Sequence, residues 1–205
     1  SKVNKSTENG NIYTEFLISL NDEIISNPIW LKNHLNKSYD FAFQDSKNYL
    51  NYYSNKGNLL WKKSLSGRII GEIKQIDLYK NGRLQILFRT NDRLYLIDRN
   101  GNEVSQLSFN IKSGEINHPI SVFDYDKNRN YRILITTDNQ VKMYDNSGKI
   151  VNGFNPDNFK SNILNSPVHI RIDDKDYIVL QLSNGELKIL NRRGKDRVFV
   201  DEKIQ

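Results

Sequence analysis

The residues best placed to do chemistry stand in one short stretch, Asp124-Tyr125-Asp126-Lys127-Asn128-Arg129-Asn130, where oxygen-bearing side chains fall at alternate positions. A hard cation such as Ca²⁺ takes its oxygens from a turn with that spacing, so Asp124, Asp126 and Asn128 are the candidate metal ligands. The stretch lacks a glycine at its sixth position, and Arg132 and Ile135 stand where a downstream carboxylate would complete the shell. Equivalent turns at 77–82 and 173–176 keep only part of the pattern. The competing reading is that these Asp and Asn side chains cap turns by accepting backbone N–H bonds.

Three histidines, His34, His118 and His169, occupy comparable parts of the chain and would suit a ring of imidazoles. Their neighbours also fit plainer roles, since His118 precedes Pro119 in a loop and His169 alternates with Val168 and Ile170. Metal-binding imidazoles need orienting partners that linear spacing does not reveal. The basic cluster Arg192-Arg193-Gly194-Lys195-Asp196-Arg197 suits either a phosphate or acidic surface, or a solvated turn. Tyr49, Tyr52, Tyr53 and Trp61 suit stacking on a sugar or base, or packing within strands. There is no G-x-S-x-G elbow, phosphate-binding glycine loop, dinucleotide fingerprint or H-E-x-x-H pair. The absence of cysteine removes disulfides, thiolate metal sites and a thiol nucleophile. No catalytic and no cofactor-binding residue is assigned, and the one cofactor considered is Ca²⁺.

These residues sit in a repeated frame. A glycine closes a polar turn after an apolar run in Asn48 to Trp61, Asp92 to Val104, Asn139 to Val151 and Gly185 to Val198. The turn glycines are Gly57, Gly101, Gly148 and Gly194, spaced 44, 47 and 46 residues apart. That period suits a four-stranded propeller blade and is too long for ankyrin, tetratricopeptide or leucine-rich units. Glycine is wanted because the turn needs positive φ, and the Asn and Asp residues beside it favour the same turn. Upstream of each anchor lies a second apolar run, at Phe41-Ala42-Phe43, Leu84 to Phe88, Tyr131 to Ile135 and Tyr177 to Leu182. A third run lies further upstream, at Trp30-Leu31, Ile73 to Leu78, Ile120 to Phe123 and Val168 to Ile172.

Each unit therefore reads as strand, turn, strand, hairpin, strand, glycine turn and short outer strand. A single such sheet cannot bury both faces, and stacking sheets face to face solves this. The predicted fold is all-β, a propeller-like array of about four four-stranded antiparallel blades over residues 30–205. Residues 1–29 form an amino-terminal segment whose strand-like stretch Tyr13 to Leu20 could complete a blade beside Val198-Phe199-Val200. The region Ile24 to Leu35 could hold a helical turn or a loop. The chain opens on Ser1 without an initiating methionine or a signal-like apolar region, as a piece processed or excised from a longer protein would.

The segment Tyr52 to Trp61, with its strand, glycine turn and tryptophan, resembles the outer part of a quinoprotein-type blade. The stretches Gly71 to Gly82, Leu94 to Gly101 and Ser121 to Arg132 resemble the carboxy-terminal propeller region of large uncharacterised Bacteroidetes proteins, flavobacterial ones in particular. The Asp124 turn resembles the calcium loops of integrin-type propeller repeats. These resemblances imply the architecture and carry no assigned activity.

The expected function is a non-enzymatic module for protein binding or scaffolding, part of a larger bacterial protein. The alternatives are a glycan-binding, lectin-like propeller and an enzyme with its site in a central channel, of quinoprotein or glycan-processing type. The 205 residues carry a net charge of +6, a mild bias toward acidic partners without the concentrated patch of a nucleic-acid reader. No stretch reaches the length of a membrane span. A homodimer is expected if four blades leave the ring incomplete, because open apolar faces associate. The composition leaves the compartment open, and the reading favours periplasm or cell envelope over cytoplasm.

Overall fold

A computed structural model of the chain describes residues 16–112, 114–201 and 203. The chain forms successive antiparallel sheets, each built from strands in sequence order. Blade 1 contains β1 (Ile29–Lys32), β2 (Tyr39–Gln44), β3 (Tyr49–Tyr53) and β4 (Leu59–Ser64). Blade 2 contains β5 (Lys74–Ile76), β6 (Gln85–Arg89), β7 (Arg93–Ile97) and β8 (Phe109–Asn110). Blade 3 contains β9 (Ser121–Phe123), β10 (Arg132–Thr137) and β11 (Gln140–Tyr144), with a single bridge from Tyr144 to Ile150 in place of the fourth strand. Blade 4 contains β12 (Val168–Ile172), β13 (Lys175–Gln181), β14 (Leu187–Leu190) and β15 (Asp196–Val198). This is a β-propeller-like array.

The chain divides into two compact units, residues 1–68 with blade 1 and residues 69–205 with blades 2 to 4. Side-chain alternation along a strand sends successive residues to opposite faces, and the second unit uses both. Ile76, Leu87, Leu94 and Leu96 of blade 2 pack on Ile120, Ile133 and Ile135 of blade 3. The opposite face of blade 3, with Phe123, Leu134, Val141 and Met143, packs on Ile178, Leu180, Leu182 and Leu190 of blade 4. Leu87, Ile133, Leu134 and Ile178 are fully buried.

In the first unit Phe41, Phe43 and Tyr53 stack across β2 and β3, with ring centroids 5.4 and 5.5 Å apart. Phe16 and Ile18 pack on them. Residues 16–20 form no strand although Phe16 and Ile18 both point inward, and residues 13–15 of the expected strand lie outside the described residues. All four strands of blade 4 come from residues 168–198, so its fourth position is filled locally. The region 24–35 holds no helix, because Ile24 bridges to Asp45 and β1 follows.

Each turn glycine has positive φ, +79° at Gly57, +85° at Gly101, +74° at Gly148 and +78° at Gly194. The residue three positions earlier caps the turn. Ser54, Asp98, Asp145 and Asn191 each accept, through a side-chain oxygen, the backbone N–H two and four residues on. Each also takes the glycine N–H on its own carbonyl. At Gly148 a β-carbon would collide with the Gln106 carbonyl oxygen, so this turn is also a contact of blade 3 with blade 2.

The outer strands depart most from the expected pattern. In blade 2 a 3-10 turn, Ser105–Leu107, precedes β8 because Leu107 is drawn fully into the core with blade 3. In blade 3 the chain leaves the sheet early, and residues 151–163 instead deliver Phe154, Phe159 and Ile163 to the core with blade 4.

Candidate functional site

The metal candidates are held in separate tasks. Asp124 spends one carboxylate oxygen on the N–H of Asn128 and the other on that of Arg129. Asp77 does the same in blade 2, with the N–H groups of Asn81 and Gly82. Asn128 accepts the N–H of Asn130 through its side chain. Asp126 turns instead to blade 4, where Arg192 grips it with Nη2 at 2.7 Å and Nη1 at 3.4 Å. Among the described residues no group of three or more His, Asp or Glu is placed to hold a metal ion. The alternating oxygens organise the turn and its link to the next blade.

The two histidines of the second unit also have separate partners. His118 is buried and its Nε2 lies 2.8 Å from the Ile163 carbonyl. His169 places Nε2 2.7 Å from Asp176, with its ring against Phe123 and Tyr125. His34 belongs to the first unit. The aromatic pair Tyr52 and Tyr53 is buried in blade 1, with Tyr52 stacked on Trp61 at 4.7 Å. The residues at the same distance before the other glycines are Leu96 and Ile97, Met143 and Tyr144, and Ile189 and Leu190. An aromatic pocket is therefore not repeated from blade to blade.

The basic cluster was the motif with most structure behind it. Arg171, Arg192, Arg193 and Arg197 line one open cleft of about 500 Å³ with Asp126, Asp174, Asp176 and Asn191. At its base Asp176 is buried and accepts Nε of Arg192 and Nε2 of His169. Burial alone would raise the Asp176 carboxyl. The bonds from His169 and Arg192, with the charges of Arg192 and Arg171, overcome that and hold it below the usual carboxylate range. The Arg192 guanidinium lies 4.5 Å over the Tyr125 ring, and its bond to Asp126 raises its own proton affinity. Arg171 donates to the Tyr125 carbonyl and stands 3.7 Å from Asp126. The 192–197 turn is legible in the sequence, but its pairing with Asp126 spans 66 residues and arises only on folding.

A second cleft, of about 520 Å³, lies against the first strands of blades 2, 3 and 4. Its carboxylates are Glu72 and Asp124. Glu72 bonds Lys74 at 2.7 Å and Asp124 caps its turn, while Ser121 and Ser166 donate to the carbonyls of Pro167 and Pro119. The two serines link blades 3 and 4, while Glu72 and Asp124 are engaged within their own blades.

The face of blade 4 turned away from blade 3 carries exposed apolar residues. A row of β-branched residues, Val168, Val179, Ile189 and Val198, runs across all four strands in register. Beside it Ile170 pairs with Tyr177. Val168 and Ile172 are 55% exposed and Ile170 is 44% exposed. The matching faces of blades 2 and 3 are buried on the next blade.

No family model matches the chain, and no curated protein matches it in sequence. In structure it is similar to BBS1N, solved in complex with ARL6DN, with a TM-score of 0.62 and 11% identity over 87% of this chain and 55% of that one. It is also similar to the fission yeast SREBP-SCAP binding domains, with a TM-score of 0.58 and 12% identity over 98% of this chain and 56% of that one. The V. cholerae biofilm matrix protein Bap1 gives 0.52 and 16%, over 80% of this chain and 26% of that one. The chain spans little more than half, or less, of the solved chains it matches. At these identities the likeness establishes the β-propeller fold. Among the described residues no helix is long and apolar enough to cross a membrane, which leaves β-barrels unaddressed.

Proposed function

We propose that the chain is a non-enzymatic propeller module that binds a protein partner, with the outward face of blade 4 as the docking surface. The observation that carries this is the in-register apolar row Val168, Val179, Ile189 and Val198 on a face that blades 2 and 3 use for burial. Exposed apolar surface of this kind costs solubility unless a partner covers it. A β-sheet presenting Val, Ile or Leu side chains is the complementary surface, because sheet faces interdigitate when aligned. Two similar structures were solved as protein assemblies, BBS1N with ARL6DN and the SREBP-SCAP binding domains, which supports the reading by analogy of fold. The flavobacterial resemblance supports placing the module in a larger bacterial protein.

A photo-crosslinking side chain at position 172, in cells that make the protein, tests the docking surface. The expected result is a discrete protein adduct, either a second copy or another chain, that is missing from position 83 and is lost with Val168→Asp. Equal capture at both positions, no adduct, or an adduct that is glycan and not protein would overturn the proposal.

A further inference from the structure

We propose that the arginine cleft at the turn end of blade 4 is a binding site for an acidic peptide segment, and that Asp126 occupies it as an internal stand-in. The site borders the apolar face, since the Arg197 guanidinium lies 5.3 Å over the ring of Tyr177, but it is lined by charged groups. Its positive charges come from two strands and one turn: Arg171 from β12, Arg192 and Arg193 from the fourth glycine turn, and Arg197 from β15. Arg171 and Arg192 are engaged by Asp126 and Asp176. Arg193 and Arg197 line the same cleft and form no ion pair among the described residues.

The grip on Asp126 reveals the chemistry that fits. Arg192 presents two nitrogens of one guanidinium to the two oxygens of one carboxylate, the planar fork that arginine offers and lysine does not. That arginine is fixed from below by Asp176 and by the Tyr125 ring, so its fork is oriented before any ligand arrives. Asp126 itself is 52% exposed and sits on a turn between Asp124 and Lys127, so its carboxylate is accessible to exchange. A partner's Glu or Asp can take the place of Asp126 on Arg192, while neighbouring carboxylates of the same segment meet Arg193 and Arg197. An extended segment places alternate side chains on one side, which suits a row of guanidinium groups. Buried Asp176 and exposed Asp174 stay in place, so the site does not carry four uncompensated cations.

Fluorescence anisotropy with the purified full chain and a labelled hexaglutamate peptide tests this, with hexaglutamine and inorganic phosphate as the comparison probes. Hexaglutamate should bind, more weakly as salt rises, while hexaglutamine does not. The pair Arg193→Ala with Arg197→Ala should weaken binding at least tenfold. Asp126→Asn should strengthen it several-fold by freeing the Arg192 fork. The effects of opposite sign are what a merely structural ion pair would not produce. An unchanged or weaker affinity for Asp126→Asn overturns the proposal. So does an equal loss from Arg83→Ala, which removes the same charge from an exposed position in blade 2. Phosphate displacing the peptide at micromolar concentration would reassign the site to phosphate. Circular dichroism melts of each variant confirm that the probes report on folded protein. Failure here leaves the proposal for the apolar face standing, since that experiment uses neither the cleft nor this peptide.

Discussion

Arg89 is the most confined charge in the described structure. Its side chain is fully buried in blade 2, yet its partners are oxygens without formal charge: the carbonyls of Thr90, Asn91, His118 and Thr136 and the side chain of Asn117. Burial pulls it down to about 10, which still leaves it charged at neutral pH. Three of its five bonds therefore reach blade 3, at Asn117, His118 and Thr136, and the cation works as a clasp. Asp176 is the corresponding anion in blade 4, and its titration gives a pH signature. Its pKa is depressed on folding, so its contribution is complete above the ordinary carboxyl value of 3.8 and is lost as pH falls through and below it. Urea midpoints should therefore drop below about pH 4 in the native chain, and Asp176→Asn should be less stable at pH 7 with a flatter acid limb. A variant whose acid limb matches the native one would show that Asp176 is not the group responsible. At this scale the sequence was only partly readable. The acidic turn at 124–130 was visible as a pattern of oxygens, but Asp126 and Arg192 lie far apart in the chain, and only folding joins them. The Ser, Asp or Asn cap three residues before each glycine is present in the sequence as a fixed offset from the four anchors.

At the scale of elements, the inner three strands of each blade were legible because they are short apolar runs rich in β-branched and aromatic residues, bounded by turn residues. Each incoming segment also bonds to the second strand of its own blade, as Ile25 does to Gln44, Ile70 to Arg89, His118 to Thr136 and Leu164 to Gln181. The short outer strand expected after each glycine turn is present in blades 1 and 4, while in blades 2 and 3 its position is set by what the following loop must deliver. Leu107, Phe154 and Phe159 are examples, each buried from a segment outside the blade's regular strands. Turn geometry offers a sharp test of how an outer element is held. Gly148 and Gly82 both have positive φ, but a β-carbon meets the Gln106 carbonyl at Gly148 and open space at Gly82. Gly82→Ala should cost about 1–2 kcal/mol, from left-handed strain. Gly148→Ala should cost clearly more and melt at a lower temperature. Equal losses in thermal melts would mean that the third glycine turn does not bear on blade 2.

For the molecule as a whole, stability in the second unit is a chain of face-to-face contacts in which blade 3 shares one core with blade 2 and a different one with blade 4. Arrays of this type behave as neighbours coupled in sequence. Leu134→Ala, on the face toward blade 4, should cost about 2–5 kcal/mol and should lower hydrogen-exchange protection in blades 3 and 4 before blade 2. Uniform loss across all three would show a single cooperative unit instead. The four glycine turns add a different kind of freedom. They keep one hydrogen-bond scheme although the capping atom belongs to a hydroxyl at Ser54, a carboxylate at Asp98 and Asp145, and an amide at Asn191. The rim can therefore change its charge by single substitutions without any change of backbone. The neutral amide at the fourth turn leaves Arg192 and Arg193 without a carboxylate inside their own turn, so the charge presented there is set by the arginines alone while the backbone keeps the scheme of the other three.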